Sequence, residues 1–234
     1  MLRRFEPRRR PLLFAIGAVA TVTLAACGGD VSGTPEPAGS GSSSAAGSTA
    51  DLDALLIDPS SFPAKYDAIV LPPQAIAQAS PDLTGIPAGA EVSPAGCKPA
   101  DVAPGTAALI VGTDNENRAT ISIELTSVSE PLSAREDQLK ECDEVEATKS
   151  GATSTIKSTI TPAPPIDADE TLAVRQTVSS GTGTEAVTQS MLTLMAQVGD
   201  VRIAATHMSF DAATPDAETL DELFTAAVQK VKAG

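Results

Sequence analysis

Thiol chemistry is the first chemistry that this sequence offers, because its three cysteines lie in different surroundings. Cys27 follows directly on an apolar run, whereas Cys97 and Cys142 lie far along the chain. A cysteine thiol can act as a nucleophile, form a disulfide or bind a metal. The neighbours of each cysteine indicate which of these reactions it is suited to.

Cys27 stands at the end of a segment with the pattern of an export signal. The first ten residues are rich in arginine, and residues 11–26 carry no charge. This apolar run is short for a membrane-spanning helix, which needs about 20 residues, and fits a signal peptide. Leu24-Ala25-Ala26-Cys27 resembles a bacterial lipobox, whose cysteine receives a diacylglyceryl group before the signal is cleaved in front of it. The resemblance implies a signal peptide over residues 1–26 and a lipid anchor on Cys27, with an ordinary secretory signal as the alternative.

The segment after Cys27 has the composition of a spacer. Residues 28–50 are rich in Gly, Ser, Pro and Ala and cannot bury a core. We predict that residues 27–50 form a disordered tether and that residues 51–234 form one folded domain. The lipid anchor would hold the protein at the outer, extracytoplasmic face of the cell membrane, which is its predicted location.

Export also bears on the other two cysteines. Exported proteins fold in an oxidising compartment, where pairs of thiols form disulfides. We therefore predict a disulfide between Cys97 and Cys142, with two free thiols as the alternative. It would tie the irregular segment before the first strand to the central helix. A zinc site is a poorer interpretation, because two cysteines and the one histidine do not complete a tetrahedral ligand set. No metal or other cofactor is predicted.

His207 is the only histidine, so a Ser-His-Asp mechanism would have to use it. No Gly-x-Ser-x-Gly segment is present to place a serine on a nucleophile elbow. His207 continues an alternating strand pattern with Ile203 and Ala205, which favours a structural histidine. We therefore predict that the protein is not an enzyme, and an envelope hydrolase using His207 is an alternative.

Two acidic segments invite comparison with calcium sites. Asp114-Asn115-Glu116-Asn117 lacks the ligand spacing of an EF-hand loop, because Arg118-Ala119 follow where an oxygen ligand and a glycine are needed. A hairpin turn is predicted there. Asp167-Ala168-Asp169-Glu170 is predicted to be a solvated loop, with a weak divalent-ion site as the alternative.

The composition excludes some partners. The chain has 30 Asp and Glu against 16 Lys and Arg, so nucleic-acid phosphates would be repelled and no nucleic-acid partner is predicted. Five Phe, one Tyr and no Trp leave little for base stacking or a sugar platform. The core must be built mainly from aliphatic side chains.

The elements that would position these residues indicate an α+β domain. Six segments have strand patterns: 107–113, 118–128, 153–161, 171–179, 186–198 and 201–210. A capping box at Ser133 predicts a helix carrying Leu139, Cys142 and Val145, and Thr214-Pro215 would open the last helix. The intervening turns imply an antiparallel sheet of about six strands, with helices packed on one face and one disulfide.

Three features together resemble a known family: LLIDPSSFPAKY near the start of the domain, VSPAGCKP around Cys97, and the helix-borne Cys142. They are similar to actinobacterial, especially mycobacterial, lipoproteins of unknown function that are related to the extracellular sensor domain of a mycobacterial receptor Ser/Thr kinase. The resemblance implies an antiparallel sheet flanked by helices, an internal disulfide and a ligand-binding cleft. It supplies no catalytic motif.

The function predicted from these features is that of a lipid-anchored envelope protein with a non-enzymatic domain, which binds an envelope protein, a small molecule or a lipid. The first alternative is a carrier of lipid or glycolipid in an apolar cleft. Met191 and Met195 share a strand face with Val187, where they could fill the core or line such a cleft.

Overall fold

The computed structural model describes residues 49–181, 186–210 and 214–234. The predicted signal peptide, Cys27 and nearly all of the predicted tether lie outside these ranges. The described residues contain a nine-stranded antiparallel sheet with the order β1-β3-β4-β9-β8-β7-β6-β5-β2. Its strands are β1 (Asp67–Val70), β2 (Glu91–Ser93), β3 (Ala107–Asp114), β4 (Ala119–Ser127), β5 (Glu144–Lys149), β6 (Ala152–Thr161), β7 (Glu170–Ser180), β8 (Val187–Val198) and β9 (Val201–Phe210).

The α+β class and the antiparallel arrangement are confirmed, but the predicted number of about six strands was wrong. The six predicted strands are β3, β4 and β6 to β9. The additional strands β1, β2 and β5 have between 3 and 6 residues, which is too short for a clear alternating pattern. They form because neighbouring strands offer free backbone partners, and β1 and β2 are the two edges of the sheet.

One face of the sheet, here called the first face, is covered by two helices, α1 (Thr49–Leu55) and α4 (Ala217–Ala233). The apolar residues of α4 recur at helical spacing, so that one side of this helix faces the sheet. Leu220 and Phe224 of this side are fully buried and belong to the same cluster as Ile123 and Ile203 of the sheet. This cluster is the largest core of the described domain.

The second face of the sheet is also covered, so the prediction of helices on one face was wrong. It carries α2 (Pro73–Ala79), α3 (Leu132–Glu141) and 3-10 turns at Asp82–Thr84 and Ala95–Cys97. Leu139 of α3 packs with Met195 of the sheet, and α2 lies against β3. Leu109 and Ile110 are adjacent in β3 and point to opposite faces, yet both are fully buried. A strand that is apolar on both faces needs cover on both sides.

The central helix α3 differs from its prediction at both ends. Pro131 is its N-cap residue, and the predicted capping box at Ser133 does not form. The Ser133 N–H instead donates a hydrogen bond to Glu170 Oε2 at 2.6 Å, from the start of β7. Val145, which was predicted on this helix, lies in β5. A side chain distant in sequence has therefore replaced the local cap.

The last helix also begins later than predicted. Asp216, and not Thr214, is the N-cap residue of α4, and its side chain accepts a hydrogen bond from the Thr219 N–H. Asp is as good an N-cap as Thr, so the local sequence offered two starting points. None of the described helices is long and apolar enough to cross a membrane.

Cys97 and Cys142 form the predicted disulfide. The bond joins the 3-10 turn Ala95–Cys97 to the C-cap of α3. Both cysteines are buried in a cluster with Ile86 and Met191 on the second face. The irregular connection before β3 is thereby fixed to the helix that follows β4, as the sequence indicated.

Candidate ligand-binding cleft

A cleft of about 780 Å³ opens on the second face of the sheet. Strands β4, β7, β8 and β9 form its floor, and its walls are α3 and the irregular segment 98–106. The disulfide joins the two walls, because Cys97 precedes this segment and Cys142 follows α3. A hydrogen bond from Gln138 Nε2 to the Gly96 oxygen, 3.4 Å long, adds a second link. The volume lies in the range of small-molecule sites.

The middle of the cleft floor is apolar. Met195 pairs with Ala204 on the neighbouring strand, so both side chains point to the same face. Val174 and Leu139 complete this apolar area. Met195 thus lines the cleft, whereas Met191 is buried in the disulfide cluster.

Hydrogen-bonded polar side chains lie next to the apolar area. The hydroxyl groups of Thr193 and Thr206 are 3.1 Å apart and share a hydrogen bond across two strands. Gln176 Nε2 donates to Ser158 Oγ at 3.0 Å. These bonds fix the orientation of the side chains, so the floor offers polar groups in defined positions.

Two arginines, Arg135 of α3 and Arg202 of β9, line one end of the cleft. Arg202 Nη2 donates to the backbone oxygen of Glu130 at 2.9 Å and to Gln197 Oε1 at 3.2 Å. Arg135 Nη1 donates to Gln138 Oε1. All three acceptors are uncharged groups. Within residues 49–181, 186–210 and 214–234, no carboxylate oxygen lies within 4.0 Å of either guanidinium.

The two guanidinium groups also repel each other. Burial, and then repulsion from Arg202, lowers the pKa of Arg135. Burial lowers the pKa of Arg202, although the charges of Glu130 and Glu170 counteract this effect. Two like charges that face one cleft without a bound carboxylate raise the electrostatic free energy of the protein. A negative group placed between them would lower it.

Glu124 of β4 is the carboxyl group of the cleft floor. Its Oε1 accepts a hydrogen bond from Ser80 Oγ, at 2.5 Å, so the side chain is held towards the end of α2. Burial raises the pKa of Glu124, and the bond from Ser80 offsets part of this rise. Glu124 therefore takes up a proton more readily than an exposed glutamate does.

His207 lies on the first face of the sheet, away from the cleft, and is buried. It shares this face with Ile203 and Ala205, as the alternating pattern predicted. Burial lowers the pKa of His207, with a smaller opposing effect from Asp216. Among the residues that the structure describes, no serine hydroxyl is hydrogen-bonded to His207.

The first acidic segment is the predicted hairpin turn. Asp114 Oδ1 accepts hydrogen bonds from the N–H groups of Glu116 and Asn117, at 3.1 and 3.0 Å. Asn117 Nδ2 donates to Asp114 Oδ2 at 2.8 Å, and this side-chain bond, followed by the backbone bond from Asn117, lowers the pKa of Asp114. The carboxylate is used inside the turn. Nowhere in the described part of the chain do three His, Cys, Asp or Glu side chains cluster as metal ligands would.

The second acidic segment contacts neighbouring elements. Asp167 pairs with Lys232 of α4, and Asp169 Oδ2 accepts a hydrogen bond from the Gly199 N–H at 2.7 Å. Together with the bond from Glu170 to α3, these contacts connect the segment to three other parts of the domain. Its carboxylates therefore have structural partners, which the prediction of a solvated loop did not include.

Arg135, Arg202 and Glu124 were not predicted as site residues. Arg135 lay in the predicted capping box, and Glu124 lay in the predicted strand 118–128. Two of the three, Glu124 and Arg202, could have been found from their positions in β4 and β9, which are interior strands of the sheet. A charged residue on such a strand lies under covering structure when both faces are packed.

Comparison with known proteins gives a family match for most of the chain. A family model described as a domain of unknown function, DUF5642, matches residues 57–232. No curated protein matches the chain. The X-ray structure of an uncharacterized protein from Mycobacterium smegmatis, an Rv0999 ortholog, is 20% identical, with a TM-score of 0.45; the match covers 74% of this chain and 92% of that chain.

A second solved structure has the same fold. The crystal structure of the extracellular domain of PknH from Mycobacterium tuberculosis is 15% identical, with a TM-score of 0.50. The match covers 80% of this chain and 97% of that chain. The predicted resemblance to mycobacterial proteins, including an extracellular domain, is confirmed.

Proposed function

The chain belongs to the DUF5642 family, whose function is unknown, and we propose that it is a lipid-anchored envelope protein whose non-enzymatic domain binds a ligand in the cleft of the second face. The observation that carries this proposal is the cleft itself. It combines an apolar floor with fixed polar groups at the edges, which is the usual composition of a small-molecule site. Its walls are held by a covalent bond, so the site is preorganised.

An extracytoplasmic location is supported by two independent observations. The Cys97–Cys142 bond belongs to a class that persists in oxidising compartments and is rare in the cytosol. The fold is similar to that of a domain described as extracellular. In this proposal Cys27 carries the lipid, and residues 28–50 hold the domain away from the membrane surface.

The arrangement of polar groups in the described residues favours binding over catalysis. The cleft holds Glu124 and two arginines, but His207 lies on the opposite face of the sheet. A hydrolase would need a nucleophile and a base within hydrogen-bond distance of each other.

Ligand binding is tested by closing the cleft. The chain from residue 28, exported by an actinobacterial host through a cleavable signal, is purified and examined by native mass spectrometry for retained ligand. Ala204→Phe places a ring over the apolar floor, whereas Ala152→Phe changes an exposed residue of β6 and is the matched control. We expect retained ligand in the native chain and in A152F but not in A204F. Equal retention in A204F would overturn the cleft as the binding site.

The anchor is tested separately. In the same host, the native chain should enter the membrane fraction with the mass of a chain acylated at Cys27, and Cys27→Ala should not be acylated. A native chain whose mass shows no acyl group, or which retains residues 1–26, would contradict the anchor. That result would leave the cleft experiment unaffected, because the exported chain in that experiment lacks Cys27.

A carrier of lipid or glycolipid is the second candidate function, and the apolar area of Met195, Ala204, Val174 and Leu139 favours it. A carrier must also give up its cargo. Transfer of a labelled lipid between two vesicle populations distinguishes the two functions: a carrier accelerates transfer, and A204F abolishes this acceleration. A protein that retains lipid but does not accelerate transfer is a binding domain and not a carrier.

A further inference from the structure

We propose that the ligand has an anionic group, a phosphate or a carboxylate, joined to an apolar body, and that Arg135 and Arg202 bind the anionic group between them. This inference rests on the proposed function, because it names the class of ligand for the same cleft. The two arginines are specificity-determining residues in this assignment, and the apolar floor receives the rest of the ligand.

The pairing of cations elsewhere in the domain is the first argument. Acidic residues outnumber basic ones by 30 to 16, so a cation normally finds a carboxylate close by. A carboxylate oxygen lies within 4.0 Å of the ammonium group of each of the following residues: Lys65, Lys98, Lys140, Lys157 and Lys232. In the described part of the chain, Arg135 and Arg202 have no such neighbour. Lys149, Arg175 and Lys230 also lack one, but these three side chains are exposed to solvent, whereas Arg135 and Arg202 are half-buried. A less exposed cation needs a counter-charge more than an exposed one does.

The hydrogen bonds of the two guanidiniums are the second argument. A guanidinium has five N–H donors in a rigid plane, and Arg202 uses Nη2 alone, towards Glu130 and Gln197. Arg202 Nε is buried and has no acceptor among the described residues. The bonds that are present fix the guanidinium without neutralising it, so the positive charge is already in place for a bidentate contact with an oxyanion.

The carboxylates that face the cleft do not cancel this charge. Glu124 is bound to Ser80 at the end of α2, and burial raises its pKa. Glu170 Oε2 accepts the N–H of Ser133 outside the cleft lining. Asp101 on the opposite wall pairs with Lys98. Glu130 is exposed at the rim and contacts Arg202 through its backbone oxygen. The end of the cleft that Arg135 and Arg202 line therefore keeps a positive charge.

The position of the apolar area fixes the shape of the ligand. Along β9 the floor runs from Arg202 over Ala204 to Thr206, a distance of about 13 Å at the rise of an extended strand. Met195 and Val174 flank this path. A ligand that places its anionic group at Arg202 thus lays several carbon–carbon bonds of apolar chain on the floor. Inorganic phosphate would use the arginines and leave this floor uncovered.

Three probes separate the contributions of charge and apolar contact. Dodecyl phosphate, a neutral dodecyl glucoside and inorganic phosphate are titrated into the chain from residue 28 by calorimetry, below the micelle concentration of each amphiphile. We expect dodecyl phosphate to bind about tenfold tighter than the glucoside, since charge-assisted hydrogen bonds distinguish them. We expect inorganic phosphate to bind more weakly than dodecyl phosphate.

Variants of the two arginines test whether their charges bind the anionic group. Arg135→Gln and Arg202→Gln should each weaken dodecyl phosphate binding by about tenfold and leave the glucoside unchanged. Arg175→Gln is the matched control, because Arg175 is exposed on β7 and its side chain points to the first face. It should change neither affinity. If R202Q does not fold, Arg202→Lys keeps the charge but loses the planar fork, and it should bind dodecyl phosphate with intermediate affinity.

The results that overturn the inference differ from those that overturn the proposed function. Equal affinity for dodecyl phosphate and the glucoside would show that the cleft does not recognise an anionic group. Unchanged affinity for dodecyl phosphate in both glutamine variants would show that the two arginines do not bind that group. Inorganic phosphate binding as tightly as dodecyl phosphate removes the apolar body and indicates a small free anion. In each case the cleft still stands as the binding site if A204F abolishes binding, and it falls if A204F does not.

Discussion

Tyr66 Oη donates a hydrogen bond to Asp216 Oδ2 at 3.1 Å, which joins the segment before β1 to the start of α4. Lys65 Nζ lies 2.6 Å from the same oxygen. Burial acts to raise the pKa of Asp216, but the hydrogen bonds from Lys65, Thr219 and Tyr66 outweigh it and lower the pKa to about 2. One carboxylate therefore caps a helix and holds two distant parts of the first face together.

Replacing Asp216 by alanine should destabilise the domain. The loss of an N-cap costs about 1 kcal/mol, and the bond from Tyr66 adds to that loss, so we expect a decrease of about 1 to 2 kcal/mol in the free energy of unfolding. Asp221→Ala, on the exposed side of the same helix, is the control and should change the stability by less than about 0.5 kcal/mol. Urea unfolding at pH 7 measures both.

The effect of Asp216 should depend on pH in a defined direction. Its folded-state pKa is lower than the value of 3.8 for an unperturbed carboxyl, so the ionised form stabilises the folded state. This contribution is complete above pH 3.8 and is lost as the pH falls towards 2. The stability difference between the native chain and D216A should therefore shrink over that interval. A difference that stays constant down to pH 2 would contradict the assigned cause.

Replacing Glu124 by glutamine should stabilise the domain at neutral pH and not in acid. The pKa of Glu124 is raised in the folded state, so the folded protein binds more protons than the unfolded chain and loses stability as the pH rises through the folded-state pKa. Glutamine keeps an acceptor for Ser80 Oγ without the charge. Melting temperatures at pH 4 and pH 8 test this: a variant less stable than the native chain at pH 8 would show that the carboxylate has a partner.

Breaking the disulfide should loosen the cleft. Cys97→Ser with Cys142→Ser is expected to lower the free energy of unfolding by about 2 to 5 kcal/mol, because the unfolded chain gains conformational freedom. Reductant should destabilise the native chain and leave the double variant unchanged. Amide hydrogen exchange should increase in segment 98–106, which follows Cys97 and forms one wall. Unchanged hydrogen exchange in this segment would show that the disulfide does not preorganise the cleft.

Gly112 of β3 lies directly under the ring of Phe62. A Cβ atom at Gly112 would be 2.6 Å from Phe62 Cδ1 and 3.1 Å from Tyr66 Cβ, so Gly112→Ala forces the ring to move. Overpacking of this kind costs about 1 to 3 kcal/mol. Gly96→Ala is the control, since its Cβ would meet no atom within 4 Å. Thermal unfolding of the two variants should show a large decrease only for G112A.

His207 should affect acid stability and not ligand binding. Burial lowers its pKa in the folded state, so the unfolded chain binds the proton more readily and stability falls as the pH drops below about 6.5, the value for an unperturbed histidine. His207→Gln should reduce this pH dependence and leave ligand retention as in the native chain. Loss of an ester-hydrolysing or peptidase activity in H207Q would instead support the hydrolase alternative.

The parts of the fold that were predictable are those with a local pattern. Six strands follow from alternation or from continuous apolar runs, and α4 follows from its apolar spacing. The helix start at Ser133 was mispredicted because its N–H binds Glu170, a residue that sequence reasoning could not place nearby. Strands β1 and β2 were missed because pairing at the edges of the sheet, and not their own few residues, makes them strands.

The amino-acid sequence alone determined the class of fold, because the side chains of a strand alternate every two residues. It also determined the pairing of Cys97 with Cys142, because the thiols of exported proteins are oxidised to disulfides and only these two cysteines follow the predicted anchor. The lipid anchor at Cys27 stays a prediction from the sequence. The tertiary structure alone decided that helices cover both faces and that Arg135 and Arg202 meet in one cleft. The physical reason is that burial and the distance between charges depend on how α3 packs on the sheet, and no local pattern of residues encodes that packing.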